Sequence, residues 1–163
     1  MTSPARAASA RTPRTSTRAA GSSSSFASLG VAPEMVSSLA AGGITAPFPI
    51  QAATLPDSLA GRDLLGRGRT GSGKTVAFAL PLVSALSGRR SSARRPRGLV
   101  LVPTRELAVQ VDQTIAPLAA AMGLRTRTIF GGVGQNPQVQ ALAKGVDIIV
   151  ATPGRLADLI KQG

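Results

Sequence analysis

Residues 68–75, GRTGSGKT, have the types and spacing that most clearly indicate chemistry. Gly68, four residues and then Gly73-Lys74-Thr75 match the phosphate-binding loop G-x-x-x-x-G-K-[ST]. In such a loop the backbone N–H groups point at phosphate oxygens, and the helix that follows adds the positive end of its dipole. Lys74 is expected to reach the β- and γ-phosphates and Thr75 to bind Mg²⁺, which makes these two the candidate catalytic residues. The residues expected to contact the nucleotide here are Gly68, Arg69, Thr70, Gly71, Ser72, Gly73, Lys74 and Thr75.

A phosphate loop needs a strand before it and a helix after it. The run DLLG at 63–66 predicts the strand, and residues 73–86 predict the helix, in which Pro81 should introduce a kink or shift the boundary. The loop indicates a nucleoside triphosphate with Mg²⁺. It does not choose between a kinase, a GTPase, a transporter motor and a helicase.

Strand-like and helix-like runs alternate along the rest of the chain. Besides 63–66, strands are predicted at 98–102, 126–130 and 146–150. Helices are predicted at 33–41, 50–61, 104–121 and 135–144. Alternation of this kind predicts an α/β fold with a mostly parallel sheet flanked by helices. Aromatic residues make up only 2% of the chain, so Ala, Val, Leu and Ile must build the core.

The excess of basic over acidic residues indicates which kinds of molecule the chain could bind. The formal net charge is +12, from 19 basic and 7 acidic residues, and an excess of this size favours polyanions such as nucleic acid. A basic tail together with a compositional bias towards Arg is the other explanation. The chain has no Cys and no His, which excludes disulfides, thiolate catalysis and histidine acid–base chemistry. No apolar run approaches the about 20 residues that span a bilayer, so we expect a cytoplasmic protein without a membrane partner.

Two segments are rich in Arg and contain no acid. Residues 1–25 have little to bury and predict a disordered tail, which also has the composition of an organellar transit peptide. The tail interpretation is favoured, and the ordered domain is expected over 26–163. Residues 88–97, GRRSSARRPR, contain five Arg and predict first a solvated loop and second a nucleic-acid contact.

The segment GITAPFPIQ, residues 43–51, bears on the choice of base. Its prolines stiffen the backbone, and Gln51 carries an amide that can accept from the exocyclic amine of adenine and donate to N7. A Gln held near the phosphate loop would therefore select ATP. Taken alone, a Gln after a proline turn is more often a surface residue.

With these motifs, the chain resembles the amino-terminal RecA-like lobe of the DEAD-box RNA helicases. That family has a nine-residue Q motif, which here spans 43–51 and contains Ile44 and Gln51, and an isolated aromatic 17 positions before it, which here is Phe26. The resemblance implies that Phe26 stacks on adenine while Gln51 reads its edge. Phe26 could instead be a hydrophobic anchor at the start of the fold.

Three further motifs of the resemblance follow in family order, each directly after a predicted strand. They are Pro103-Thr104-Arg105, Gly131-Gly132 and Thr152-Pro153-Gly154-Arg155. Thr104 and Thr152 can cap the helices that follow, and capped helix starts present N–H groups to phosphates. The resemblance implies that these residues hold one RNA strand by its backbone, without reading its sequence.

The sequence also departs from the family. Phe48 replaces a usual Thr, Gly68 replaces a frequent Ala, and neither the Asp-Glu-Ala-Asp motif nor a second lobe is present. We expect the chain to be a fragment or truncated product of an ATP-dependent RNA helicase, and to hydrolyse almost no ATP alone. The alternatives are a non-catalytic module that binds nucleotide or RNA, and a DNA-directed relative.

Overall fold

The computed structural model describes residues 24–162. The predicted tail therefore lies outside the described residues, except for Ser24 and Ser25. The helices are α1 (Pro33–Ala41), α2 (Pro49–Leu59), α3 (Lys74–Leu86), α4 (Arg105–Ala121), α5 (Asn136–Ala143) and α6 (Pro153–Lys161). The strands are β1 (Gly98–Leu101), β2 (Thr126–Ile129) and β3 (Ile148–Ala151). The predicted alternation of strands and helices is confirmed from residue 98 onwards.

The three strands form one parallel sheet in the order β1-β3-β2. Ile148 on β3 pairs with Gly98 on one side and with Thr126 on the other, so the strands run in register along the whole sheet. The central strand β3 is buried at all four positions. Its composition, Ile-Ile-Val-Ala, is what a strand covered on both faces requires.

Each face of the sheet is covered by a separate hydrophobic cluster. Ile148 and Val150 of β3 pack against side chains from α1, α3 and α4. Ile149 and Ala151 alternate with them and pack on the opposite face, where α5 and α6 contribute Ala141, Leu142, Leu156 and Leu159. The two-residue period of β3 thus joins the two clusters, as expected for helices on both faces of a sheet.

The predicted strand at 63–66 is wrong in this structure. Among the described residues no strand pairs with this segment, so it lacks the hydrogen-bond ladder that defines a strand. Leu64 and Leu65 are 48% and 85% exposed, and Leu99 and Leu101 of the outer strand β1 are exposed as well. Residues 61–66 and the helices α2 and α3 line a cavity of about 530 Å³.

Prolines do not end the helices that contain them. Helix α3 continues through Pro81 to Leu86, so this proline does not shift the helix boundary, and the alternative of a kink stays a prediction. Pro56 and Pro117 likewise lie inside α2 and α4. Within residues 24–162, none of the helices is long and apolar enough to cross a membrane.

Candidate nucleotide and nucleic-acid site

The phosphate loop is positioned by the buried face of α3. Helix α3 begins at Lys74, and its residues Val76, Ala79, Leu80 and Val83 lie in the main hydrophobic cluster. Gly73 is the residue before the helix, with φ at 84°, and its carbonyl accepts a hydrogen bond from Ala77 N at 3.1 Å. The first free N–H groups of α3 therefore lie directly after the loop, where they can bind an anion.

The ammonium group of Lys74 points back into its own loop. Its Nζ donates to the carbonyl oxygens of Gly68 at 2.6 Å and of Arg69 at 2.7 Å. Ser72 Oγ, in the same loop, is buried without a hydrogen-bond partner. A cation held by neutral carbonyls and an unpartnered hydroxyl are groups that phosphate oxygens would bind, so the loop fits a polyphosphate.

The segment around Gln51 contacts the phosphate loop directly. Gln51 is 1% exposed, and its Nε2 donates to Gly73 O at 3.0 Å. Its Oε1 accepts from Phe48 N at 2.9 Å. A Cβ at Gly73 would lie 2.5 Å from Gln51 Nε2 and 2.6 Å from a ring carbon of Phe48, so this position admits only glycine. In this structure both ends of the Gln51 amide are thus engaged by protein.

The aromatic residues near this site differ in exposure. Phe26 is 2% exposed and belongs to the main hydrophobic cluster, as the alternative of a hydrophobic anchor requires. Ile44 is half-buried against the same cluster. Phe48 is 52% exposed beside Gly73 and Gln51. Stacking of Phe26 on adenine stays a prediction, and Phe48 is the exposed ring at this position. The replacement of Thr by Phe was the signal that could have identified it.

The other three motifs lie at one edge of the sheet. Pro103-Thr104-Arg105 follows β1, Gly131-Gly132 follows β2, and Thr152-Pro153-Gly154-Arg155 follows β3. Because all three strands are parallel, their carboxyl ends lie at the same edge, the usual ligand-binding edge of open α/β sheets. The predicted neighbourhood of these motifs is therefore confirmed.

The two predicted threonine caps differ. Thr104 Oγ1 accepts from Leu107 N at 3.2 Å and caps α4, as predicted. Thr152 occupies the corresponding position before α6, with Pro153 in the first turn, but its side chain makes no capping hydrogen bond. The predicted cap by Thr152 is wrong. The first N–H groups of α6 consequently have no side-chain acceptor at this position.

Two guanidinium groups lie beside the glycine turn after β2. A Cβ at Gly132, where φ is 80°, would lie 2.9 Å from Arg105 Nη1. Arg155 Nη2 donates to Val133 O at 3.2 Å, while its Nη1 is buried without a partner. The unpartnered donor and the two nearby cations form a cradle for a phosphate.

A carboxylate reduces the positive charge of this phosphate cradle. Glu106 Oε1 accepts from Arg105 Nε at 3.3 Å. Hydrogen bonding to the backbone at the start of α4, and then to Arg105, holds the pKa of Glu106 below its usual value. Glu106 therefore stays ionised and partly neutralises Arg105.

Gln138 of α5 is a supporting residue that the sequence analysis missed. It is 4% exposed, and its Nε2 donates to Phe130 O at 3.0 Å, directly before the glycine turn. A second, longer bond reaches Gly134 O at 3.5 Å. Gln138 thus tethers both ends of the turn. Its position in the helix that follows the Gly131-Gly132 pair was the sequence feature that could have identified it.

The described residues do not join everything that was predicted to act together. Hydrogen bonds connect 48–51 with the phosphate loop, and Arg155 with the glycine turn, but none recorded within residues 24–162 links the two groups. No cluster of three metal-ligating side chains occurs in the same part of the chain. Thr75 is half-buried at the start of α3, and it is the single metal ligand that was predicted.

Comparison with known proteins agrees with this geometry. The model of the DEAD/DEAH box helicase family matches residues 48–163. The chain is 48% identical over 143 residues to DEAD-box ATP-dependent RNA helicase 3A, chloroplastic, of Zea mays, covering 85% of this chain and 19% of that protein. It is 44% identical over 141 residues to ATP-dependent RNA helicase RhlB of Xanthomonas oryzae pv. oryzae, covering 84% of this chain and 25% of the relative.

A solved structure is similar as well. The crystal structure of the RNA-helicase Prp28 from Chaetomium thermophilum bound to ADP matches with a TM-score of 0.76 and 40% identity, covering 82% of this chain and 33% of that one. The chain thus spans between a fifth and a third of the length of these relatives. The family model matches well over half of the chain, with the phosphate loop and all three motifs of the sheet edge inside the matched range. The chain therefore belongs to the DEAD/DEAH box helicase family.

Proposed function

We propose that the chain supplies the ATP-binding lobe of an ATP-dependent RNA helicase. The observation that carries this proposal is the hydrogen bond from Gln51 to Gly73, since it ties a base-reading segment to a phosphate-binding loop. A loop alone would fit any nucleotide. A Gln held against it can distinguish adenine from guanine once its amide exchanges its two protein partners for the edge of the base.

In this proposal the residues of the loop position the phosphates. Lys74 exchanges its two carbonyl partners for phosphate oxygens, and Ser72 and the N–H groups at the start of α3 add donors. Thr75 would supply the protein's hydroxyl ligand to Mg²⁺, whose chemistry is to neutralise charge on the phosphates. An adenine bound beside Gln51 would meet the exposed ring of Phe48.

The carboxyl edge of the sheet would hold RNA. Arg105 and Arg155 both lie beside the glycine turn, where they can each contact a phosphate of one strand. Such contacts fix the position of the strand and carry no sequence information. Unwinding and hydrolysis belong to the whole helicase in this proposal, and a cytoplasmic location stays a prediction.

Competition between nucleotides tests the proposal. The 163-residue chain is titrated with a fluorescent ADP analogue, which is then displaced by ATP or by GTP. We expect ATP to displace it at lower concentration than GTP, and Gln51→Ala to reduce this preference. Equal displacement by ATP and GTP would argue for a general phosphate loop without base selection.

RNA binding at the sheet edge is tested separately. Labelled single-stranded RNA is titrated with the wild type and with an Arg105→Ala/Arg155→Ala variant in the presence of ATP and Mg²⁺. Loss of both guanidinium groups should weaken binding on the order of a hundredfold or more, because each charge-assisted contact contributes about 1.5–3 kcal/mol. Unchanged affinity would remove the sheet edge from the proposal and leave the nucleotide site standing.

A further inference from the structure

A second basic surface lies at the opposite edge of the sheet. It consists of the exposed residues Arg89, Arg90, Arg95, Arg125 and Lys144, called the basic face below. They come from the loop before β1, from the residue before β2 and from the end of α5. All of them precede a strand, whereas the motifs at 103–105, 131–132 and 152–155 each follow a strand. Each four-residue strand spans about 10–13 Å, so the basic face is distinct from the motif edge.

The loop that carries this face is built into the fold. Ser91 N donates to Asp147 Oδ1 at 2.7 Å, and Arg94 N donates to Leu142 O at 2.8 Å. The guanidinium of Arg97 turns inward, where it donates to Leu86 O at 2.9 Å and also to the carbonyl of Arg89. A merely solvated charge run would have no such anchors. The predicted solvated loop is therefore an ordered one.

Asp147 ties the parts of the basic face together. Its side chain is 1% exposed and accepts from Ser91 N, from Arg125 N at 2.9 Å and from Arg97 Nη2 at 3.2 Å. One carboxylate thus joins the arginine loop to the start of β2. A Cβ at Gly145 would lie 3.2 Å from Arg125 Nη2 and 3.2 Å from Ser91 O, which places Arg125 and the neighbouring Lys144 beside the loop.

The segments that carry the exposed cations of this face contain few acidic residues. The chain has no acidic residue between Asp63 and Glu106, and Asp147 is the single one between Asp112 and Asp158. Asp147 is buried and already pairs with Arg97. Holding several like charges on one ordered surface costs free energy, which a bound anion would offset.

The backbone of the loop is strained at one point. Arg94 has φ at 58°, the left-handed region, and it is the one residue other than glycine with a positive φ among the described residues. Strain of this kind persists where the surroundings fix it, and it is frequent at ligand-binding segments. Here the hydrogen bond from Arg94 N to Leu142 O helps to fix it.

We propose that the basic face is a second binding surface for the phosphate backbone of RNA, independent of nucleotide and of the motif edge. Four of its five cations are Arg, whose planar fork binds phosphate through two hydrogen bonds. Residues 88–97 contain no aromatic or large aliphatic side chain, whereas membrane-surface segments combine basic residues with such groups. The contacted RNA would lie outside the strand held by Arg105 and Arg155, for example in the flanking duplex.

Salt-dependent RNA binding by the full chain tests this surface. An Arg89→Ser/Arg90→Ser/Arg95→Ser variant is compared with an Arg62→Ser/Arg67→Ser/Arg127→Ser control, which removes the same charge from exposed positions elsewhere. Binding of a labelled RNA hairpin with a single-stranded extension is measured without nucleotide between 50 and 200 mM KCl. The amino-terminal arginines are common to both variants. Circular dichroism should show both to be folded, because only exposed side chains change.

We expect the face variant to flatten the plot of log affinity against log salt by about 2 to 3, since each lost phosphate contact removes about 0.7 to 0.9. The control should change the slope by less than half of that. Equal effects of the two variants would mean that RNA responds to the net charge of the chain alone, which would overturn the proposal. Unchanged RNA binding by the face variant would also overturn it. If that variant then lost binding to phosphatidylserine vesicles, the face would be a membrane-binding surface instead. An Arg105→Ala/Arg155→Ala variant should retain this nucleotide-independent slope, which separates failure here from failure of the helicase proposal.

Discussion

The side-chain amide of Gln51 donates a hydrogen bond to the backbone carbonyl of Gly73, across 22 residues of sequence and 3.0 Å of space. The same amide accepts from Phe48 N, so it connects the start of α2 to the start of α3. Because the Gln51 amide is bonded at both ends, a movement of the phosphate loop at Gly73 is coupled to the start of α2. When phosphates reorganise the loop, the partner of Gln51 Nε2 must move with it.

Replacement of Gln51 by Ala should destabilise the fold and weaken nucleotide binding together. The change leaves the N–H of Phe48 without its partner and removes one of the two donors to the carbonyl of Gly73, which together costs about 1–3 kcal/mol. Urea unfolding and ATP titration measure the two effects. Gln110→Ala, at an exposed position of α4, is the control and should change neither. A Gln51→Ala protein as stable as the wild type would show that the link carries no free energy.

Replacement of Phe48 by Thr should stabilise the chain. Phe48 is the residue before α2 and has extended backbone angles, but its side chain has no atom that can accept a hydrogen bond from the first turn. A Thr hydroxyl there would contribute about 0.5–1 kcal/mol, because it satisfies a free N–H group. Thermal unfolding of Phe48→Thr beside Phe48→Ala separates the cap from the mere loss of an exposed ring. If both variants behaved alike, the capping explanation would fail.

The buried carboxylate of Asp147 should make stability depend on pH. Burial opposes its ionisation, but the N–H groups of Arg125 and Ser91 and the guanidinium of Arg97 outweigh burial and hold its pKa below the usual value. A lowered pKa in the folded state means that the contribution is complete above the unfolded-state value of about 3.9. It is lost as pH falls through the folded value.

Asp147→Asn tests this dependence. At pH 7 the variant should lose about 1–3 kcal/mol of stability, because an uncharged amide replaces a carboxylate bonded to Arg97 and two N–H groups. The difference from the wild type should stay constant above pH 4 and shrink below it, as measured by urea unfolding at each pH. A difference that grew at acid pH would contradict the sign of the shift.

Loss of the hydrogen bonds made by Gln138 should lower the affinity for RNA more than the affinity for nucleotide. Gln138→Ala frees the carbonyls of Phe130 and Gly134, so the glycine turn beside Arg105 and Arg155 loses its support. RNA affinity should fall several-fold while ATP affinity stays the same. Gln140→Ala, on the same helix, is the matched control for helix content. An equal loss of ATP binding would point to general unfolding.

Local patterns predicted most of the fold. The alternation of β-branched strands and helices with a 3.6-residue period gave α4 and the three strands to within about two residues, because burial on both faces leaves a clear apolar signal. The segment 63–66, Asp-Leu-Leu-Gly, also contains an apolar pair, but strand pairing depends on neighbours that are distant in sequence. Composition could not show that no described strand pairs with it.

For the candidate site, too, features set by local sequence were predictable and features set by contacts between distant residues were not. Spacing located the phosphate loop and the motifs after each strand, since these depend on residue type at fixed positions. Partners that depend on three-dimensional contact were not predictable, such as the carbonyls that bind Lys74 and the tether at Gln138. Burial of Phe26 and exposure of Phe48 are likewise outcomes of packing around α1 and α2.

Lys74 should bind the phosphates of ATP, and calorimetric titration of the full chain with ATP and Mg²⁺ measures this contact. Lys74→Ala should weaken binding about ten- to hundredfold, the equivalent of one charge-assisted contact of about 1.5–3 kcal/mol. Lys161→Ala, at the end of α6, should bind ATP as the wild type does. Equal ATP affinity in the Lys74→Ala variant and the wild type would contradict the account.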